Sequence, residues 1–515
     1  MGEVGREAAS RPALDVLMRI LFLLHNVSKT RHFDGVLELL AEKGHSIVLA
    51  VARQRNRPAW LPKNLVQVND RLQSRRMPGR IEMIPCPSRR VDGWQDVAQN
   101  LRQARDYVRF FDPRYSNAQK LTERAALNTP DGLRALLDRP FARRHWRGVA
   151  RLLATAEAVV PSDKLFELFI RYERPDVVLI TPLVDYGSYQ PDYVKSAQRL
   201  GVPVVFLPFS WDNLTNRGLI RVEPDLLLVW NEFQKKEAVE MHGIAADRVK
   251  VIGAPRFDEF FVMRPSTSRE EFCSHVRLAP DRPFILYVCS SPFVAPREVE
   301  FVERWNSELR RADDPLIRTC GVLVRPHPVH AKQWRGVDCS GLAQTALWSG
   351  KETLNADQGL YDSLHHASAV VGLNTSAMIE AAIAGKPVHS ILAEEFSGGQ
   401  EQTLHFQYLR GQNGGVLIEG RSIEEHIQQL ASTLRTNGVD CHRRQEFLER
   451  FVRPRGMNVP VAPGMVDEIE RAALIVKRPR RWTPAWHHAA RIGLRGAFSG
   501  RDVIVRKHAP RRSHA

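Results

Sequence analysis

Short runs of consecutive apolar residues, each closed by Gly, Pro or a polar cluster, alternate along this chain with stretches whose apolar positions recur every three or four residues. The first kind predicts strands buried on both faces; the second predicts helices packed over them. Arg19–Leu24 reads as a strand, His25 to His32 as a loop, and a helix then runs to Lys43, with Gly44 as its stop before the strand His45–Val51. Residues 53–150 break the rhythm and read as an insertion, Pro-rich and basic at first, then helical. The alternation resumes at Asp176–Thr181 and continues through a helix near Tyr193–Leu200 and the strands Val202–Leu207 and Asp225–Val229. A helix over Glu232–Met241 and the strand Val249–Ile252 complete this first series. Gly253-Ala-Pro-Arg-Phe-Asp258 interrupts it, and Pro265–Ser268 reads as a linker. A second series holds strands at Phe284–Cys289, Gly321–Val324, Val370–Gly372, Val388–Ile391 and Val416–Ile418, with helices near Arg297–Arg311, before His366 and from Ile423.

Two such runs predict an α/β protein of two Rossmann-like, doubly wound domains facing a cleft. The boundaries that follow are 18–262 for the first domain and 263–440 for the second, then helices over 441–476. A flexible extension, 1–17, and a basic tail, 477–515, flank them.

Charge changes this picture in two places. Residues 53–147 carry 21 Lys and Arg against nine Asp and Glu, and the tail carries 11 against Asp502 alone, so the rest of the chain is net acidic although the whole is +16. Such patches attract polyanions or an anionic membrane face. The tail mixes Arg480 and Arg481 with Trp482 and Trp486, as peripheral membrane anchors do; no nucleic-acid recognition motif accompanies it, and no nucleic-acid partner is expected. No apolar run approaches the roughly 20 residues of a membrane span. Ala13 to Leu24 makes a poor signal peptide, being broken by Asp15 and Arg19. The six cysteines form no C-x-x-C pair, which argues against a structural metal and for a reducing compartment. The expectation is a cytoplasmic protein that meets, at most, the inner face of a membrane.

The candidate chemistry lies in the second series. In Val370–Val388 a buried strand leads through Asn374, Thr375 and Ser376 into a helix that stops at Gly385. These three are helix-capping types, so their side chains and the free N–H groups of the first turn suit a phosphate or diphosphate. Glu380 follows Ser376 by four residues on the same helix face and is placed to accept hydrogen bonds from ribose hydroxyls. The same letters also fit a plain strand–turn–helix with Thr and Ser as caps only. Val322-Leu-Val-Arg-Pro-His-Pro328 ends a strand on Arg325 and His327, which can bind diphosphate oxygens. Glu401 and Gln402, in the loop after Ile391, can hold sugar hydroxyls.

Taken together, Arg325-Pro-His-Pro328, Gly372-Leu-Asn-Thr-Ser376 with Glu380 and Gly385-Lys-Pro387, and the preceding Gly253–Asp258 segment resemble the GT-B fold glycosyltransferases. More narrowly they look like the branch near CDP-glycerol glycerophosphotransferases and bacterial surface-polysaccharide transferases. Non-hydrolysing UDP-N-acetylglucosamine 2-epimerases share the fold. The resemblance covers roughly residues 19–52 and 165–475, with motifs only between about 208 and 405. It implies a donor-phosphate role for Arg325 and His327, a diphosphate role for Asn374, Thr375 and Ser376, a ribose role for Glu380, and a place for Gln402 near the transferred group. It also implies that a final helix around Val466–Val476 crosses back onto the first domain. Two departures stand out: Arg-Pro-His-Pro is shorter than the epimerases' histidine motif, and Leu207-Pro-Phe-Ser-Trp-Asp-Asn-Leu-Thr215 replaces the His-Gly-Thr-Pro segment of the glycerophosphotransferases.

The implied activity is transfer of a glycosyl or glycerophosphoryl group from a nucleotide-activated donor to a cell-surface polysaccharide or lipid-linked acceptor. A sugar-nucleotide epimerase and a non-catalytic nucleotide- or polyanion-binding protein are the alternatives. An inverting transferase needs a base near the attacking hydroxyl. The first domain offers His25, His32, Asp185 and Asp212, of which Asp212 is preferred and His32 comes next. No Asp-x-Asp pair closes a strand, so transfer without a metal is expected, and no cofactor is called for.

Overall fold

The computed structural model describes residues 17–52, 60–337, 342, 344–348, 356–436, 438, 440–474 and 485–499. The proposed extension therefore lies outside the described residues, Leu17 excepted, as does the tail outside 485–499. The first sheet contains β1 (Arg19–Leu24), β2 (Ser46–Ala52), β3 (Arg80–Cys86), β4 (Val177–Thr181), β5 (Val204–Phe206), β6 (Leu226–Val229) and β7 (Val249–Val251). The second contains β8 (Phe284–Val288), β9 (Gly321–Arg325), β10 (Thr345–Leu347), β11 (Ala369–Gly372), β12 (Val388–Ile391) and β13 (Leu417–Gly420). Their orders are β3-β2-β1-β4-β5-β6-β7 and β10-β9-β8-β11-β12-β13. The strands pair in parallel throughout, as between β1 and β4 and between β8 and β11.

The apolar runs follow from burial on two faces. Along β1, Ile20, Phe22 and Leu24 enter one core while Leu21 and Leu23 enter another on the opposite face. Both sheets are thus doubly wound, and chain order reverses between β1 and β4 in the first and between β8 and β11 in the second. Ligands of such sheets bind at the carboxyl ends of the strands beside that reversal.

The reading of 53–150 as one insertion needs correction. The helix Lys63–Ser74 and the edge strand β3 belong to the first sheet, with β3 pairing β2 from Ser46–Arg80 to Ala52–Cys86. The helical addition begins at Gln95. Part of its basic charge is internal: Arg90 and Arg102 each donate to Asp192 at 2.6 Å, and Arg102 also pairs with Glu157 at 3.1 Å. Those guanidiniums hold the addition to the first domain and are not available to a polyanion. Within the tail, Ala485–Ser499 is a helix whose Arg491 donates to the Val159 carbonyl at 3.0 Å.

The two domains are joined by a double crossing. Gly253, at φ +114°, has no room for a side chain, since a Cβ there would meet Val461 Cγ2 at 2.6 Å and the Val452 carbonyl at 3.0 Å. Ala254 N–H donates to that same carbonyl at 3.0 Å. Asp258 accepts from Arg453 at 2.8 Å and from the N–H groups of Val461 and Ala462, at 2.7 and 2.8 Å. The outgoing strap is thereby clamped to the returning one. The returning helix, Val461–Leu474, buries Val461, Met465, Val466 and Ile469 in the same core as Phe22, Leu37 and Leu40.

Candidate functional site

On the second-domain side, β11 ends against β8, and Asn374 N–H donates to Ser290 Oγ at 3.2 Å across the reversal point. The helix that follows is Ala377–Ile383. Ser376 occupies its N-cap position but makes no capping hydrogen bond, so the expectation of capping side chains is not met. Ser376 Oγ accepts instead from Trp211 Nε1 of the first domain at 3.2 Å. The Asn374 side chain turns inward and donates to the Gly399 carbonyl at 2.6 Å, and is therefore committed to the fold. Thr375 is half-buried, and its carbonyl accepts from Met378 N–H at 3.1 Å.

Glu380 is buried 3.7 Å from Arg256, and burial pushes its carboxyl above the usual range while Arg256 opposes that shift. Arg256 donates to Asp357 at 2.6 Å, and Arg31 of the first domain donates to the same carboxylate oxygen at 3.0 Å. Arg325 closes β9 over the Trp348 ring at 5.1 Å and bonds Ser363 Oγ at 3.2 Å; burial lowers it to about 10, which leaves it cationic at neutral pH. His327 is lowered to about 4 by burial, then by His330 and Arg31. Its Nδ1 accepts from Val329 N–H at 3.2 Å, so the neutral ring carries its proton on Nε2, a donor form. Gln402 lies in the loop after β12 and donates to Ser397 Oγ at 3.4 Å. Glu401 is exposed and paired with Arg410 at 3.2 Å.

On the first-domain side, β1 runs into His25 and β4 into Asp185, at the other reversal point. His25 Nδ1 lies 3.0 Å from Asp185 Oδ2. Burial disfavours the Asp185 anion, but Arg217 and His25 hold its carboxyl well below the usual range. An ionised Asp185 only accepts, so His25 donates through Nδ1, and the neutral form of the ring has its lone pair on Nε2. Asp212 accepts from Asn216 and, at 3.4 Å, from Asn213; burial opposes its charge, yet His405 and Arg217 keep it below the usual range. It is an anion over any working pH and a weak base. His32 packs on Phe209 with ring centroids 5.0 Å apart, and burial plus Lys29 drive it well below its ordinary value. Lys29 sits over the same Phe209 ring at 3.9 Å and is lowered to about 8 by burial and Arg217.

Two residues outside the sequence-derived set join these halves. His405 Nδ1 is 3.1 Å from Thr215 Oγ1, which donates to the Asp212 carbonyl at 3.2 Å, and His405 Nε2 is 3.5 Å from Asn374 Nδ2. Arg256, read from sequence only as part of the Gly253–Asp258 segment, is the counter-ion of Asp357 and Glu380. Nothing local marks His405, because its partners are 190 and 31 residues away. The position of Arg256 in the Gly253–Asp258 segment was the available signal for that residue. Among the described residues no group of three or more His, Cys, Asp or Glu side chains converges as a metal site.

Two doubly wound parallel sheets, with their reversal points opposed across a cleft and the helix Val461–Leu474 returning to the first core, define the GT-B architecture. Among solved structures, the chain is similar to a UDP-GlcNAc 2-epimerase from Methanocaldococcus jannaschii, at 12% identity and a TM-score of 0.47, over 88% of this chain and 100% of that one. It is likewise similar to a glycosyltransferase from Rickettsia africae, at 12% identity and 0.49, over 89% and 99%. The wall teichoic acid polymerase TagF gives 11% and 0.46, over 88% of each chain. These are likenesses of fold and carry no activity across. No family model and no curated protein matches the chain.

Proposed function

We propose that the chain is a transferase that takes a glycosyl or glycerophosphoryl group from a nucleotide-activated donor. The observation that supports this reading is the opposition, across one cleft, of the His25–Asp185 pair to the wall that carries Arg325, His327, Ser376 and Glu380. In this reading Arg325, His327 Nε2–H and Ser376 meet the diphosphate, and Glu380 accepts from the ribose hydroxyls. Gln402 lies toward the transferred group. Of the bases weighed from sequence, His25 is favoured over Asp212 and His32 because its Nε2 is aimed by an anchored carboxylate. Asp212 then orders the acceptor side through His405 and Thr215. Fixed cations supply the counter-charge a metal would otherwise bring, so donor turnover is expected to proceed in EDTA.

A thermal-shift screen of UDP-, CDP-, GDP- and CMP-linked donors tests the reading. One nucleotide class is expected to raise Tm, and Glu380→Gln to weaken its binding about tenfold. If no donor shifts Tm, or if Glu380→Gln binds as the native chain does, the donor site is misplaced.

A second reading, sugar-nucleotide epimerisation, is favoured by Asp34. Burial raises its carboxyl to about 6, and its Oδ1 is buried without a hydrogen-bond partner. Conversion of UDP-N-acetylglucosamine with no acceptor present would select it.

The proposed acceptor is lipid-linked. Supporting this, the helices of residues 131–159 expose Leu136 (52%), Phe141 (73%) and Leu152 (70%) beside exposed Arg139, Arg144, Arg147 and Arg151. Exposed apolar side chains interspersed with arginine along these helices suit an anionic bilayer surface. No helix of the described residues is long and apolar enough to cross a membrane. The chain is expected to sediment with phosphatidylglycerol vesicles, and Phe141→Ser with Leu152→Ser to abolish most of that binding. Equal sedimentation of the double variant would refute the surface.

A further inference from the structure

A second basic cavity lies at the opposite end of the second sheet. It has a volume of about 670 Å³ and is lined by the linker residues Thr267 and Ser268, by Arg269, His365 and His366, and by Lys386. Ser368 and Pro387, also in its wall, immediately precede β11 and β12, so it opens at the amino ends of these strands. Arg325 and Asn374 leave their strands at the other end. The two sites are separated by the length of the sheet.

Among the described residues the cavity gathers more positive charge than negative. Arg269 spends its donors on backbone carbonyls, those of Pro280 at 3.1 Å, His366 at 2.5 Å and Arg282 at 2.6 Å, and these leave its charge uncompensated. Lys386 is half-buried, and the charged group it feels most is Arg269, a like charge. Among the described residues no carboxylate pairs with it. Arg444 approaches the rim at Gly385, where its NH1 would stand 2.9 Å from a Cβ, and its Nε is buried without an acceptor. His365 adds a ring donor, whereas the Nε2–H of His366 is spent on the Thr267 carbonyl. The acid facing this group is Asp362, whose oxygens are already taken by Ser266 and by Gln358 at 2.9 Å.

Three fixed cations against the one carboxylate of Asp362 leave a net positive charge around a solvent-reaching cavity, which matches a compact polyanion with several acceptor oxygens. We propose that this cavity is a second binding site, separate from the cleft, for a phosphoryl group, either inorganic or at the end of a small metabolite. Lys386 supplies the point charge and His365 a ring donor. His366 Nε2 is held by the Thr267 carbonyl at 3.0 Å, so a ligand here touches the interdomain linker through its lining. This inference does not depend on the donor assignment.

Inorganic phosphate and pyrophosphate, titrated into the full chain and followed by calorimetry, test it. Saturable binding is expected in the native chain and in Arg325→Gln, which alters the cleft. In Lys386→Gln and, separately, in His365→Gln, the affinity is expected to fall about tenfold or more. Absence of saturable binding overturns the proposal, as does native affinity in both cavity variants. Loss of binding in Arg325→Gln alone also overturns it, by moving the anion to the cleft. Circular dichroism of each variant separates lost binding from lost folding, and the two independent variants keep the test decisive if one misfolds.

Discussion

Replacing Arg256 with glutamine is expected to cost about 3–5 kcal/mol of stability, the range for removing one partner of a buried ion pair. Arg256 is 7% exposed, and its guanidinium faces Asp357 at 2.6 Å and Glu380 at 3.7 Å, with Asp34 and Glu259 also within its electrostatic reach. Asp357 would retain Arg31, but Glu380 would lose its nearest cation. Its carboxyl, already raised by burial, would rise further and take up a proton. A group whose folded pKa exceeds its unfolded one favours folding while it is protonated, and stability declines as pH climbs from the unfolded toward the folded value. The variant should therefore lose more stability at about pH 8 than at about pH 5, measured by urea unfolding at both. Equal losses at the two pH values would mean that Glu380 does not depend on Arg256.

His25→Gln is expected to lower kcat by about 10²- to 10⁴-fold, with KM for the donor little changed, as for loss of a general base. Glutamine keeps a polar group of similar reach and removes only the basic nitrogen. Asp185→Asn should approach the same loss: a neutral amide no longer fixes the His25 tautomer, and Arg217 loses its carboxylate partner. Partial recovery of a His25→Gly variant by added imidazole would separate a chemical role from a structural one. If His25→Gln retains native kcat while Asp212→Asn is inactive, the base is Asp212.

Strands buried on both faces were legible because their sequences are nearly all apolar, as in Arg19–Leu24 and Phe284–Val288. Two of the four edge strands, β3 and β10, were not, whereas β7 and β13 were. β3 reads Arg-Ile-Glu-Met-Ile-Pro-Cys, with exposed Arg80 and Pro85, because an edge position tolerates charge and a missing N–H. β10 spans three residues, too short to show a period. In the site, Arg325 and His327 are marked by position at a strand end. The letters of Asn374 and Ser376 fit capping, an inward amide bond and an interdomain acceptor equally well, and tertiary partners far along the chain decided among these. The basic run over 53–147 shows the same limit: composition counts Arg90 and Arg102 as surface charge, whereas Asp192 and Glu157 hold them inside.

The double crossing at Gly253 and Asp258 bears on how the chain is made. The core beneath β1 includes Met465, Val466, Ile469 and Ala472, which are synthesised after the entire second domain. As the ribosome emits residues 18–262, the face formed by Phe22, Leu37 and Leu40 must wait uncovered for the helix Val461–Leu474. The first domain is thus begun first and finished last, and a chain stopped short of Val461 would carry a completed second sheet beside an open first one.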